Sequence, residues 1–258
     1  MSPPEAPSGM QRSLAAVVGA AILVLTACGT ATSPPPSATT APGSAPPATA
    51  PATAAPITAA PTADPTAVPR PSGTLAWPTE FAVEMTPGTY FTSPPFVLPM
   101  TVALTEAGWY AGHLNPVFID LQRFDGVEVG SFPTRMLAFG RPENVRGNEG
   151  AVPVAGLTPA AALDLMSERG SVDAGERADI ELFGLQGERI DLHSDLGNNP
   201  IFGTANGDFG LGPELDARLV ALPLDGGLLI VATLAPADDL DDAWEQALPI
   251  LDTVELGN

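Results

Sequence analysis

The chain has 258 residues, 30 of them acidic and 10 basic, and its formal net charge at pH 7 is −20. Nearly all of this charge lies beyond residue 78, because only Glu5 and Asp64 among the acidic residues precede it, and none of the basic residues is lysine. A composition this anionic argues against nucleic acid and against an acidic lipid surface, which both require Lys and Arg. It favours a cationic ligand or an envelope protein as partner, although a negative surface also keeps an exported protein soluble without one.

The first 27 residues are organised as an export signal. The charged part ends at Arg12, and residues 14–27 are uncharged and rich in Ala, Val, Leu and Ile. This run is shorter than the about 20 apolar residues of a membrane-spanning helix, which favours a cleaved signal peptide. The last three residues of this run are Leu25, Thr26 and Ala27, and the next residue is Cys28.

These four residues resemble the lipobox of bacterial lipoproteins, in which the Cys receives a diacylglycerol and becomes the N-terminus. The resemblance implies that Cys28 is the lipidation site, bearing acyl chains such as palmitate. The mature protein is then held at the extracytoplasmic face of the cell membrane, since several acyl chains anchor stably where one does not. Cys28 is the only cysteine. Two alternatives are a free Cys in an uncleaved anchor and export as a soluble protein through a different cleavage point.

Residues 28–78 consist almost entirely of Ala, Pro, Thr, Ser and Gly. Such a composition has too little large apolar surface to offset the entropy of ordering, so it predicts a disordered or polyproline II segment. We therefore divide the chain into a signal peptide (1–27), a lipid-anchored disordered linker (28–78) and an acidic α+β domain (79–258).

The pattern of residues 79–258 predicts a β-rich first half followed by helices and hairpins. Thr158 and Pro159 mark the start of the first main helix, and the apolar spacing of residues 240–251 predicts the second, with Pro249 kinking or ending it. The Asp225-Gly226-Gly227 turn predicts a hairpin. We expect an α+β fold in which a single antiparallel sheet is flanked by two main helices. The predicted strands are 89–92, 96–104, 117–124, 135–139, 178–183, 189–193, 217–222, 228–232 and 253–256.

Three stretches of this domain resemble actinobacterial-type lipoproteins with a Mog1/PsbP-like fold. They are residues 87–92 (PGTYFT), 184–187 (GLQG) leading to Asp191, and 248–254 (LPILDTV). The resemblance implies a sheet platform that serves as an accessory or binding module, and it assigns no catalytic residue.

Two acidic clusters are candidates for metal binding. Strand periodicity places Asp191, His193 and Asp195 on one face, where two carboxylates and an imidazole could bind a metal; the alternative is a solvated face opposite Ile190 and Leu192. The second cluster, an oxygen-rich candidate for calcium, equally suits the first turn of a helix, where carboxylates complement the macrodipole. It consists of Asp238, Asp239, Asp241 and Asp242.

The Asn, Pro and Gly residues of 195–213 predict a long irregular loop, and long loops are often functional. Phe202 and Phe209 within it are candidate ligand-binding residues if exposed, and plugs of the sheet edge if buried.

We expect no cofactor and no enzymatic activity, because no G-x-S-x-G motif is present and His113 and His193 are the only histidines. The leading hypothesis is a lipid-anchored cell-envelope protein acting as a binding or accessory module. The alternative is a divalent-cation-dependent protein, such as a hydrolase, that uses the acidic strand near His193. A purely structural role in the envelope is the third.

Overall fold

The computed structural model describes residues 69–92, 94–194, 199–204, 207–212 and 215–257. Of these residues, 48% lie in strands and 13% in helical segments. The helices are α1 (Pro159–Ser167) and α2 (Leu240–Leu251), the latter preceded by a 3-10 turn at Ala237–Asp239. The strands β1 to β17 are, in chain order, Leu75–Ala76, Val83–Met85, Gly88–Phe91, Met100–Leu104, Trp109–Leu114, Phe118–Arg123, Arg135–Gly140, Asn144–Gly147, Gly150–Pro153, Asp173–Ala174, Ala178–Leu182, Leu185–His193, Asn199–Thr204, Gly207–Leu211, Asp216–Leu224, Gly227–Ala235 and Glu255–Leu256.

The strands form three sheets. The central sheet has nine strands in the order β10-β12-β15-β16-β7-β6-β5-β2, with β11 paired to β12. The first sheet has the order β1-β3-β4-β17, and the third sheet has the order β14-β13-β8-β9. All pairings are antiparallel except that of β1 with β3, which is parallel.

The prediction of a single antiparallel sheet flanked by two main helices was therefore wrong: the described residues form a mostly β structure with three sheets. Residues 195–213, predicted as one irregular loop, contain the β13–β14 pair, which joins β8 and β9 in the third sheet. The first sheet pairs β4 with β17, strands that lie about 150 residues apart. Strand periodicity identifies strands but not their partners, so neither sheet could be separated from the central one.

Both faces of the central sheet are covered. One core packs strands of the first sheet and α2 against it, through residues such as Met100, Trp109 and Trp244. The second core packs α1 and the third sheet against the opposite face, through residues such as Leu163 and Phe202. This explains the continuous apolar sequence of β16, in which every residue after Gly227 is buried.

The two helices begin and end near the predicted positions. The Thr158 side chain caps α1 by accepting from the main-chain N–H of Ala161 at 3.2 Å, with Pro159 at the first helical position. α2 continues through Pro249 to Leu251, because a proline in the last turn removes a single hydrogen bond while Ile250 and Leu251 remain buried in the core. Neither helix in the described part of the chain is long and apolar enough to cross a membrane.

The fold begins slightly before residue 79. Leu75 and Ala76 form β1, and Trp77 is 2% exposed and belongs to the first core. These three residues lie in the stretch that composition assigned to the linker.

Candidate functional site

Two polar side chains are buried beneath one face of the central sheet. Asp120 and Gln122 on β6 are 0% and 1% exposed. Their cross-strand partners on β7 are Ala138 and Met136, which belong to the second core or pack against it. Because paired residues share a face, the carboxylate and the amide point to the side of the third sheet.

The neighbouring strand β5 is shaped around this carboxylate. A Cβ atom at Gly112 would lie 1.9 Å from Oδ2 of Asp120, so any larger residue would displace it. The register of β5 against β6 shifts between Ala111 and Leu114, an irregularity that brings His113 beside Asp120. Strand irregularities of this kind re-aim side chains and often lie next to functional sites.

Asp120 holds His113 through two contacts. The main-chain N–H of His113 donates to Oδ1 of Asp120 at 2.8 Å, and Nδ1 of the imidazole lies 3.3 Å from the same oxygen. The Nε2 amide of Gln122 donates to Oδ2 at 2.6 Å. Oε1 of Gln122 is buried and has no hydrogen-bond partner among the residues that the structure describes. A buried carboxylate is costly unless it is well paired, so this arrangement calls for an explanation beyond packing.

The carboxylate also changes the acid–base behaviour of His113. Its hydrogen bond to Asp120 raises the pKa of His113 above the ordinary value of 6.5; partial burial opposes the shift, and the charge of Asp120 adds to it. The His113 side chain is 56% exposed, so the oriented imidazole presents an accessible edge. It also contacts the rings of Phe81 and Phe118, with centroids 5.0 and 5.7 Å away.

His113 lies on the wall of an apolar cavity of about 350 Å³. We call this cavity, with its histidine, the His113 pocket. Its walls come from β5, β6, β7, the third sheet and the 124–134 connection. Besides His113, the lining consists of Phe118, Phe132, Met136, Asp208, Phe209, Gly210, Gly212, Leu215 and Leu234. The volume lies at the lower end of the range of about 300–1,000 Å³ for small-molecule sites.

Exposed apolar side chains lie beside this pocket. Phe81 is 47% exposed and contacts His113, and Phe132 is 55% exposed and lines the cavity. Val127 and Val129 in the same connection as Phe132 are also exposed. A Cβ atom at Gly130 would lie 3.9 Å from Ala82, which places this connection against the segment that carries Phe81. Exposed apolar patches of this kind mark binding surfaces.

The two described residues of the first predicted metal cluster, Asp191 and His193, each contact another side chain. Asp191 binds Arg218 in a bidentate pair, with Nε to Oδ1 at 2.8 Å and Nη2 to Oδ2 at 2.7 Å. Nδ1 of His193 lies 2.5 Å from Oδ1 of Asp216. Asp195 lies outside the described residues. Within the described ranges, no three His, Cys, Asp or Glu side chains are grouped in a way that could hold a metal.

The second acidic cluster lies in the 3-10 turn and the first turn of α2, as the helix alternative predicted. Asp241 accepts from Nη2 of Arg218 at 2.8 Å, and the guanidinium of Arg218 lies 5.6 Å from the ring centroid of Trp244. The hydrogen bond to Asp191 raises the pKa of Arg218, partial burial opposes this shift, and the weaker effect of the hydrogen bond to Asp241 adds to it. Arg218 thus joins the end of the central sheet to α2.

Phe202 and Phe209 are both buried in the second core, at 1% and 7% exposure. Their rings are stacked, with centroids 4.8 Å apart and an interplanar angle of 11°. Phe209 also lines the His113 pocket, whereas Phe202 is not among the lining residues. The lipidation candidate Cys28 lies outside the described residues.

Sequence reasoning passed over His113, Asp120 and Gln122. The signal was present in β6 (Phe118–Arg123), where two polar residues alternate with Ile119 and Leu121 in a strand with apolar neighbours. Alternation normally indicates a solvated face, and nothing in the sequence shows that a third sheet covers it.

Comparison with known proteins gives matches among solved structures only. No protein-family model matches the chain, and no curated protein sequence matches it. The solution structure of cyanobacterial PsbP from Synechocystis sp. PCC 6803 is similar to the chain at a TM-score of 0.35 and 10% identity. The match covers 61% of this chain and 86% of that one. At this TM-score and identity, no ligand, activity or partner is carried over to this chain.

Proposed function

We propose that this chain is a lipid-anchored extracytoplasmic binding module whose ligand site is the His113 pocket. The observation that carries the proposal is the imidazole of His113, held by the buried carboxylate of Asp120 on the wall of an apolar cavity. Binding pockets typically combine apolar walls with a few fixed polar groups, and this cavity has that composition.

The cost of burying Asp120 supports this proposal. The free-energy cost of removing a carboxylate from water must be offset by hydrogen bonds. Here the amide of Gln122 and the main-chain N–H of His113 donate to Asp120, and the absence of a side chain at Gly112 leaves room for it. A site needed for packing alone is filled more simply by an apolar residue. Perturbed titratable groups beside a cleft are accordingly candidates for function.

We propose binding rather than catalysis, because the pocket offers one oriented imidazole and one carboxylate, Asp208, within walls that are otherwise apolar and aromatic. The exposed rim of Phe81 and Phe132 extends this apolar surface outward. A ligand with an apolar body and one polar group would match both parts of the site.

The membrane anchor in this proposal depends on residues 1–28. In a bacterial host that processes lipoproteins, the chain should fractionate with membranes, and Cys28→Ser should move it out of the membrane fraction. Identical fractionation of the two forms would contradict anchoring through Cys28. The result leaves the pocket proposal untouched, since the two depend on different parts of the chain.

The pocket can be tested with N-phenyl-1-naphthylamine, a neutral dye that fluoresces in apolar surroundings. We expect saturable binding to the full chain carrying Cys28→Ser, which bears no lipid to take up the dye. Gly212 lines the cavity, and a Cβ there would lie 2.4 Å from the tip of the Phe132 ring, so Gly212→Val should add bulk to the wall and displace Phe132. We expect it to weaken dye binding about tenfold, the equivalent of 1.4 kcal/mol.

Gly170→Val is the matched control, because a Cβ there has no heavy atom within 4 Å. It should leave dye binding unchanged. Absence of saturable binding, or equal binding by the two valine variants when both unfold at the wild-type temperature, would overturn the proposed site.

A further inference from the structure

Three phenylalanine rings, from Phe118, Phe132 and Phe209, line the His113 pocket. The rings of Phe118 and Phe209 meet edge to face with centroids 5.6 Å apart, and Phe202 covers one face of Phe209. Faces of aromatic rings carry partial negative charge and attract cations, especially those without strongly held water.

The charges around the cavity also favour a cationic ligand. Asp208 is on the wall, and Asp120 lies behind His113, where its charge offsets that of a protonated imidazole. Asp208 is itself paired with Arg146, whose Nη2 lies 2.5 Å from Oδ1 of Asp208. The whole chain carries −20, so the surrounding field concentrates cations and repels anions.

The walls also restrict the kind of cation. A primary ammonium has three N–H donors, each of which needs an acceptor when it leaves water. Most of the lining residues of this cavity are apolar or glycine and offer few acceptors. A quaternary ammonium has no N–H donor and spreads its charge over methyl groups, so apolar and aromatic walls can hold it.

From these three observations we infer that the His113 pocket binds a small organic cation of the quaternary-ammonium type. The inference rests on the proposed function and specifies the chemical class of its ligand.

The test compares two molecules of the same shape and different charge as competitors of the dye. Choline carries a trimethylammonium group, and 3,3-dimethyl-1-butanol carries a neutral tert-butyl group in its place. On the full chain carrying Cys28→Ser, choline should displace the dye at a concentration about tenfold lower than the alcohol, as a desolvated cation–π site predicts. Equal displacement by the two would overturn the inference and leave the proposed site standing. Failure of the dye itself to bind the pocket would instead overturn the proposed function.

Two substitutions on the wall should act in opposite directions. Asp208→Asn leaves Arg146 without its carboxylate and should weaken choline binding about threefold or more. Arg146→Gln leaves Asp208 without this ion pair and should strengthen choline binding by a similar factor. Displacement by the neutral alcohol should be the same in both variants. If the alcohol shifts in parallel with choline, the effect is one of shape, and the charge argument fails.

The aromatic contribution is tested by Phe132→Leu, which keeps an apolar side chain at a position that is 55% exposed. It should reduce the preference for choline over the alcohol about threefold. Leu75→Ala, a change at another exposed apolar residue (45% exposed) that does not line the cavity, should leave the preference unchanged. A preference that survives Phe132→Leu in full would contradict an aromatic site for the cation.

Discussion

Replacing Asp120 by Ala should lower the free energy of unfolding by an amount set mainly by Gln122. The Gln122 amide is 1% exposed and donates to Oδ2 of Asp120 at 2.6 Å, so the substitution leaves a buried donor without its acceptor. An orphaned buried donor costs about 1–3 kcal/mol. The main-chain N–H of His113 also loses its acceptor, an oxygen of the fully buried Asp120, which adds to the loss. We therefore expect a loss of at least about 1–3 kcal/mol.

The companion change Gln122→Leu identifies the origin of this loss. Alone, it removes one donor from the buried carboxylate and should also cost about 1–3 kcal/mol. In the double variant neither polar group remains, and replacing both partners by apolar groups can be nearly neutral. The double variant should therefore be more stable than the sum of the single effects predicts, with a coupling of about 1–3 kcal/mol.

Equilibrium unfolding in urea, followed by tryptophan fluorescence at pH 7.5, measures these quantities. Asp125→Ala serves as the control, since that carboxylate is 54% exposed and lies 3.7 and 3.8 Å from Arg123 and Arg135; it should cost less than about 1 kcal/mol. Additivity of Asp120→Ala and Gln122→Leu to within about 0.5 kcal/mol would refute the reasoning, because independent sites add to that precision.

Three further outcomes follow from the same region and from the ion pairs at the other end of the sheet. Gly112→Ala places a methyl group 1.9 Å from Asp120 Oδ2 and should cost about 1–3 kcal/mol in urea unfolding; a variant as stable as wild type would show that the two strands can separate freely. His113 has a raised folded pKa, so its stabilisation is complete below about pH 6.5 and is lost as the pH rises through the folded value. The stability difference between wild type and His113→Gln should therefore shrink from pH 5.5 to pH 8.5. A difference that grows over this range would contradict a raised pKa of His113 in the folded state. Arg218→Lys cannot keep both hydrogen bonds to Asp191 and should lower the thermal midpoint by the equivalent of about 1–2 kcal/mol, whereas an unchanged midpoint would mean that a single point charge suffices.

Local signals predicted the elements with strong turn or cap chemistry. The hairpin through Asp225 and Gly226 forms between β15 and β16, and the Thr158 cap starts α1. These predictions depend on two to four neighbouring residues whose preferences agree, so they need no knowledge of the rest of the fold.

Pairing between distant strands was not predictable in this way. The β13–β14 hairpin was missed because Asn, Pro and Gly dominate its sequence, and its stability comes from Phe202 and Phe209, stacked in the second core. The candidate site was missed for the same reason. In the sequence, Asp120 is one polar residue of an alternating strand. In the structure, the third sheet covers its face, and the absence of a side chain at Gly112 leaves room for it. Tertiary burial thus gave these residues a significance that their local pattern does not carry.

The way the chain enters the fold determines how it would respond to a pull on the residues that precede it. β1 (Leu75–Ala76) holds the edge of the first sheet through two residue pairings with β3, and the next residue, Trp77, is buried against Tyr90 at a centroid distance of 6.4 Å. A force applied through the preceding chain would peel the two-residue strand away first, since short edge pairings open at low free energy. Extraction of the indole is a larger step, because it exposes a large apolar side chain. Tension would therefore lengthen the preceding chain by a few residues and then stop at Trp77, whose burial protects the sheets from mechanical load.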